Sequence, residues 1–491
     1  MLFYRPRLVI AGLRGGGGKT TLSLGLLRLF KQAGLNVVAF KKGPDYIDAG
    51  WLAAASGTPC YNLDSFIISE DRLLQSFVTH SENTDLALIE GNRGLFDGVD
   101  AYGTFSTAAL AKSTNSPVVL VVDCIKTTTT VGVIIKGISE FDADLSLKGV
   151  VLNYVANDRH KNVVRQAIEY HCNVPVLGTI AKRSDAVVPE RHMGLVAQQE
   201  HGQVDAALDA IAAMLRANID IDAISDIARQ APAIDCNMPD TQTSNTPRYG
   251  TTVTAEAADR IRIGVIRDSA FQFYYPDNLE ELVRCGADIV EISAIEHSSL
   301  PNIDALYIGG GFPETNAIML SENTAFREHL KWLIEDGLPV YAECGGLMFL
   351  GRSIIYNNKT YPMTGIFPMD FAMSPTPAAH GYTVAEVVEE NPYFPPGTVL
   401  KGHEFHYSSV TDVGRLATAF KMTRGKGIVS GPDGTRCDGA IYKNVLASYT
   451  HLHALGTEQW ATGVIGAARR KKEGGRLRPL LRPPLQGGQP P

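Results

Sequence analysis

A chain of 491 residues, 45% hydrophobic and 20% charged, has room for two to four domains and enough apolar content to rule out disorder throughout. No uncharged apolar run reaches the roughly 18 residues of a membrane span, and the stretch after residues 1–7 runs into a glycine loop with no small-residue cleavage site, which predicts a strand and not a signal peptide. The formal charge of −7 argues against broad nucleic-acid or anionic-membrane binding, and seven scattered cysteines with no C-x-x-C pair predict reduced thiols in a cytoplasmic protein.

In chain order, a short apolar strand is expected at 8–11 and an amphipathic helix at 21–33, with leucines at 22, 26 and 29 on one stripe and Gly34 ending it. Strands follow at 36–40, 86–89, 117–122 and 148–152. Each is rich in Val, Leu or Ile without polar alternation, as befits strands covered on both faces. With helices between them, the pattern predicts a parallel, doubly wound α/β sheet. Residues 232–258 lack periodicity and read as an interdomain linker. A second α/β series is expected after it: strands at 262–266, 288–292, 305–308 and 339–342, and helices at 278–285 and 324–335. Short strands and turns should fill 353–450, and the Arg-, Lys-, Pro- and Gly-rich stretch 469–491 reads as a solvated tail.

Residues 12–21, GLRGGGGKTT, lie directly after a strand and before a helix. Glycine lets bare backbone N–H groups turn toward anionic oxygens, so Gly15, Gly16, Gly17 and Gly18 form a candidate phosphate loop. Lys19 would reach the β- and γ-phosphates of ATP, Thr20 would place its hydroxyl on Mg²⁺, and the helix N-terminus carrying Thr21 would add a favourable dipole. Gly12 and Gly18 enclose five residues, one more than the usual spacing, and Arg14 stands where some relatives of this loop have a second lysine. Two acids fall at the carboxyl ends of neighbouring strands, where open α/β sheets bind ligands: Asp45 in KKGPDYID (41–48) and Glu90 in IEGNRGLFDG (89–98). Asp123 is a third, for which a structural or relay role is expected.

In VYAECGGLMFLG (340–351) a buried strand runs into Cys344, two glycines and a helix, as a nucleophile elbow requires. The helix end is expected to lower the thiol pKa. Gly345 could give one oxyanion-hole N–H, and Gly310 or Gly311 in GGGFPE (309–314) the other. The other six cysteines read as buried small hydrophobes. Either His451 or His453 in SYTHLH (448–453) could be the base for the thiol. His403 and His406 in GHEFHYS (402–408) are candidate substrate contacts, the alternative being a polar packed strand.

Taken together, GGGGKTT, KKGPDYID, EGNRGLFDG, ERHMGL (190–195), GGGFPE, AECGGLMFLG, GHEFHYS and SYTHLH resemble the cobyrinic acid a,c-diamide synthase family over about residues 7–455. The resemblance implies a P-loop domain of the dethiobiotin-synthetase type followed by a class I glutamine amidotransferase domain, flavodoxin-like in outline. The expected boundaries are 1–225 for the ATP-dependent amidoligase, 226–260 for a linker, 261–460 for the amidotransferase and 461–491 for a disordered basic tail. It implies glutamine, ATP and Mg²⁺ used to amidate the a and c acetates of a corrin in cobalamin biosynthesis, with no nucleic-acid or membrane partner and a homodimer allowed. Hydrogenobyrinate and Ni-sirohydrochlorin are alternative rings, KKGPDYID argues against cobyric acid synthase, and the Cys344–His451 pair argues against a partitioning-type ATPase switch.

By the same resemblance, Lys19 and Thr20 bind ATP and Mg²⁺, Asp45 and Glu90 complete the metal site, Asn153 reads adenine, Cys344 attacks glutamine and His451 activates it. The usual His-x-Glu of class I amidotransferases is His-x-His here, which leaves the partner of His451 open. The family's loop often has an apolar pair where this chain has Asn92–Arg93. Lys41, Tyr46, Asp48 and Asp97 are candidates for contact with the tetrapyrrole carboxylates or the transferring group. A local basic patch from Lys41, Lys42, Arg93 and Arg191 is expected to offset the overall acidity.

Overall fold

The computed structural model describes residues 1–182, 190–191, 194–195, 202–238, 260–431 and 433–475. The chain divides into two units, Met1–Thr246 with Phe273–Asp277, and Pro247–Gln272 with Asn278–Pro491.

The first unit is built on a seven-stranded sheet. Its elements are β1 (Arg7–Gly12), α1 (Lys19–Gln32), β2 (Val37–Lys42), β3 (Cys60–Leu63), β4 (Leu86–Glu90), β5 (Val118–Asp123), β6 (Leu147–Val155) and β7 (Val176–Ala181). The order across the sheet is β3-β2-β4-β1-β5-β6-β7, with every pairing parallel. β1, β2, β3 and β4 are buried along their whole length, which is why residues 8–11, 37–40 and 86–89 read as apolar runs, whereas β3 carries Asn62 and was not expected. α1 lays Leu22, Leu26 and Leu29 into a core shared with Leu8, Ile10, Val119 and Val121. β1 sits between β4 and β5, so the loop leaving β1 and the acid ending β4 emerge at the same sheet edge.

The expected end of this unit at 225 is corrected. Helix Ile221–Arg229 continues through it, burying Ile224 and Ala228, and Ile234–Asp235 pairs antiparallel with Leu2–Phe3. Nonpolar burial and backbone pairing thus hold residues assigned to the linker. Residues 239–259 of that expected linker lie outside those described.

The second unit centres on a sheet that is half parallel and half antiparallel. Its parallel part contains β8 (Ile261–Ile266), β9 (Ala287–Ile292), β10 (Ala305–Ile308) and β11 (Val340–Glu343), the last leading into α2 (Gly345–Leu350). The antiparallel part contains β12 (Ala379–Val387), β13 (Val399–His406), β14 (Ala417–Arg424) and β15 (Arg436–Tyr442). β16 (Val445–Ser448) joins the two halves, and β17 (His451–Leu452) closes the far edge. The order is β9-β8-β10-β11-β16-β15-β14-β12-β13-β17. Residues 379–442 therefore form strands of seven to nine residues and not only short ones with turns.

The tail expected from 461 is also corrected, because α3 (Gln459–Gly475) is a helix. It buries Trp460, Ala461, Val464, Ile465, Ala467 and Ala468, an apolar face that supplies the reason for order. Residues 476–491 lie outside those described.

Candidate functional site

In the first unit, Gly18 caps α1 with φ 100° and ψ 11°, a left-handed conformation that favours glycine. A Cβ there would fall 2.1 Å from Asn153 Nδ2, so the loop needs glycine for space as well. Asn153 Nδ2 donates to Gly17 O at 3.0 Å, and Asn153 Oδ1 accepts from the Tyr154 N–H at 2.9 Å. Both ends of the amide thus hold backbone. Lys19 Nζ donates to Arg14 O at 2.9 Å and Arg93 O at 2.7 Å, joining the loop to the turn after β4. Burial lowers the Lys19 pKa, with Glu90 opposing.

Thr20 Oγ1 donates to Glu90 Oε1 at 2.8 Å, and Lys41 Nζ donates to the same oxygen at 2.8 Å and to Asp48 Oδ2 at 2.6 Å. Burial alone would depress the Lys41 pKa, but Asp48 and Glu90 hold it well above the ordinary lysine value. Asp45, whose Oδ1 accepts from the Asp48 N–H at 3.0 Å, is pushed up to about 7 by burial and then by the Asp48 charge. Tyr46 caps helix Ile47–Ser56, and Asp97 Oδ2 accepts from the Gly94 N–H at 2.8 Å. Arg14 is ion-paired with Asp123, which agrees with a structural role for that acid.

The expected basic patch is corrected. Lys41 and Lys42 are buried, and Lys41 is already paired with two carboxylates. The side chain of Arg191 lies outside those described.

Among the described residues no group of three or more His, Cys, Asp or Glu is arranged to hold a metal ion. The residues at the loop nevertheless suit a Mg²⁺ that takes most of its oxygens from phosphates and water. Glu90 Oε2 is buried without a hydrogen-bond partner, the Thr20 hydroxyl meets the other oxygen of the same carboxylate, and Asp45 is a hard oxygen donor in the field of Glu90.

In the second unit, Cys344 stands between β11 and α2 with φ 49° and ψ −99°, a strained geometry for a side chain with a Cβ. Its N–H donates to Ser448 O at 2.7 Å, which fixes the elbow to the end of β16. A Cβ on Gly345 would lie 3.0 Å from Gly311 N, so the structure brings together the two glycines expected to share an oxyanion. Gly311 has φ 156°, and a Cβ there would strike Ala270 O at 2.1 Å.

The expectation of a lowered thiol pKa is corrected. Burial pushes the Cys344 thiol up, with Glu314 adding to it, and α2 is only six residues long. A thiol pushed in that direction depends on a base to become a thiolate.

The two candidate bases have different partners. His451 Nδ1 lies 3.3 Å from Glu343 Oε2, whereas His453 Nδ1 accepts from the Leu455 N–H at 3.2 Å within its own turn. His403 faces His451 across β13 and β17, their rings 4.9 Å apart and nearly parallel. Burial, then the nearby His451, depresses the His403 pKa well below the ordinary value. The His406 ring stacks on Tyr449 at 3.6 Å, and its Nδ1 lies 2.8 Å from Ser408 O. Both His403 and His406 are buried.

Sequence reasoning missed Glu343 and Asp438. Asp438, fully buried, accepts from Tyr449 N and Thr450 N at 3.0 Å each and from Thr450 Oγ1 at 2.9 Å, so it holds the bend that delivers His451 to β17. The available signal was an acid inside an otherwise apolar run, as in VYAE before the thiol.

Residues 8–196 match the CobQ/CobB/MinD/ParA nucleotide binding domain, and residues 262–459 match the CobB/CobQ-like glutamine amidotransferase domain. A cobyrinate a,c-diamide synthase of Magnetococcus marinus is 40% identical over 93% of this chain and 96% of its own length. Those of Archaeoglobus fulgidus (39% identical, 95% of this chain and 98% of its own) and Listeria innocua (35% identical, 94% and 100%) are similar throughout. Matches of this extent, across both the phosphate loop and the cysteine elbow, show that the chain belongs to the cobyrinate a,c-diamide synthase family and is a glutamine-dependent ligase with a nucleotide-binding and an amidotransferase domain.

Proposed function

We propose that this enzyme converts the a and c acetate carboxylates of cobyrinate to acetamides, taking nitrogen from glutamine and energy from ATP, in cytoplasmic cobalamin biosynthesis. The observation that carries this reading is the presence in one chain of a phosphate loop whose Thr20 meets Glu90 and a strained Cys344 elbow whose oxyanion glycines adjoin. The full-length likeness to cobyrinate a,c-diamide synthases supports the choice of ring. Among the described residues no helix is long and apolar enough to cross a membrane.

A carboxylate is a poor electrophile, so it is first phosphorylated. Lys19 and the amides of residues 15–18 hold the phosphates and stabilise charge on the transferring phosphoryl group. Thr20, Asp45 and Glu90 would hold Mg²⁺, which when bound neutralises phosphate charge. Lys41 balances the Glu90 and Asp48 carboxylates from inside the site, and Tyr46, Asp48 and Asp97 line the loops where the substrate carboxylate is received. At the second site Cys344 attacks the glutamine amide, Gly311 and Gly345 N–H groups take the developing oxyanion, and His451 takes the thiol proton. Ammonia leaves, water hydrolyses the glutamyl thioester, and the ammonia displaces phosphate from the acyl phosphate.

The test supplies candidate tetrapyrroles with ATP and either glutamine or ammonia, and weighs the products. Cys344→Ala should lose glutamine-dependent amidation while retaining the ammonia-dependent reaction, and Lys19→Ala should lose both. A mass change of about one unit per carboxylate converted, from OH replaced by NH₂ in acyl transfer, counts the amidations. Glutamine use surviving in Cys344→Ala would remove the thiol from the mechanism, and amidation surviving in Lys19→Ala would remove the phosphate loop.

A further inference from the structure

The histidine that serves the thiol has no carboxylate two residues after it, since position 453 is His. Resting on the amidotransferase reading above, the geometry points to Glu343, the residue immediately before the nucleophile, as the positioning carboxylate that orients His451 and selects its tautomer.

Glu343 ends β11 and is wholly buried. Its two oxygens receive four contacts. Oε1 accepts from Tyr341 OH and from the Leu452 N–H, both at 3.0 Å. Oε2 accepts from Tyr307 OH at 3.2 Å and faces His451 Nδ1 at 3.3 Å. A carboxylate has about four acceptor positions, and all four are filled here. Leu452 follows His451 directly, so one carboxylate grips both the ring and the backbone of β17. The two tyrosines fix the carboxylate from β10 and β11, leaving little rotational freedom to it.

An acceptor oxygen at Nδ1 requires that Nδ1 carry the proton, which leaves the lone pair on Nε2. The reaction then balances. As sulfur bonds to the amide carbon, the Cys344 proton passes to Nε2, and the imidazolium is stabilised by Glu343 at Nδ1. As the C–N bond breaks, that proton goes to the departing nitrogen and gives ammonia. Water cleaves the thioester, glutamate leaves and the thiol is restored. Glu343 gains no proton at any stage, and its role is orientation and charge stabilisation, as in other triads.

Glu343→Gln is the discriminating variant. With its carbonyl toward His451, the amide NH₂ meets the Leu452 N–H, donor against donor. With the amide reversed, the NH₂ faces Nδ1 and forces the proton to Nε2. Glutamine-dependent kcat should fall about a hundredfold or more, by comparison with carboxylate loss from a triad. The KM for glutamine should change little, and ammonia-supported amidation should persist. A glutamine-dependent kcat equal to that of the parent enzyme would overturn the proposal.

If thermal unfolding shows that the variant does not fold, ¹⁵N-histidine NMR on full-length Cys344→Ala gives the answer, with the His451 signal assigned from the additional His451→Gln change. A proton on Nδ1 supports the assignment, and a proton on Nε2 overturns it. Glutamine use that survives Cys344→Ala would defeat the amidotransferase reading itself, whereas loss in Cys344→Ala with full activity in Glu343→Gln would defeat only the role of Glu343.

Discussion

At the phosphate loop, single atoms decide what can be changed. Gly18 combines a left-handed backbone with a Cβ position already claimed by Asn153 Nδ2, 2.1 Å away. Gly18→Ala would add about 1–2 kcal/mol of backbone strain and in addition push Asn153 off Gly17 O. Since 1–2 kcal/mol corresponds to a factor of roughly 5–30 in an equilibrium, ATP affinity should weaken by at least that factor. Nucleotide titration checks it, with glutamine hydrolysis as the control for intact folding of the second unit. Unchanged nucleotide affinity would mean that the loop adapts without cost. Neighbouring Lys41 shows why residue identity alone misleads. Its sequence suggests a surface cation, yet it is buried between Glu90 and Asp48 and neutralises them.

At the level of elements, α3 is connected to the thiol site through aromatic rings. Trp460 is fully buried, with its ring 5.3 Å from that of Tyr307 and 5.7 Å from that of Tyr341, the two tyrosines that hold Glu343. Trp460→Ala would empty that volume at a cost of about 3–5 kcal/mol. Denaturant unfolding should show a marked loss in midpoint, and glutamine-dependent activity should fall more than ammonia-dependent activity. Equal stability would mean that the helix only rests on the surface. The Arg- and Lys-rich composition just beyond 469 hid this helix, because the apolar face lies at its start.

The strands were legible to different degrees for similar reasons. β1, β4 and β5 have both faces covered, so their sequences are unbroken apolar runs and were readable. β3 has Asn62 in its middle, satisfied by Gly43 O and Asp45 O, a compensation that only the fold reveals. The loop lysine, the elbow cysteine and the glycine turns were legible because their chemistry is local. Glu343 and His451 were not legible as a pair, because they meet across 108 positions of sequence.

For the molecule as a whole, the two chemistries impose a transport problem. On the proposed mechanism, ammonia is released at Cys344 as a base that water would protonate, and ammonium cannot attack the proposed acyl phosphate. Efficient synthesis therefore demands that the nitrogen reach the activated carboxylate before it equilibrates with solvent. This gives a prediction for mixed proteins. Lys19→Ala should still hydrolyse glutamine, and Cys344→Ala should still use supplied ammonia. Combined at low concentration with glutamine as the only nitrogen source, they should form amide far more slowly than the parent enzyme at equal thiol content, although glutamate appears. Product mass and glutamate release, followed together, measure the coupling. Amide formation at the parent rate would show that nitrogen passes freely through solvent, and the need for both chemistries on one chain would then have to be sought in regulation and not in transfer.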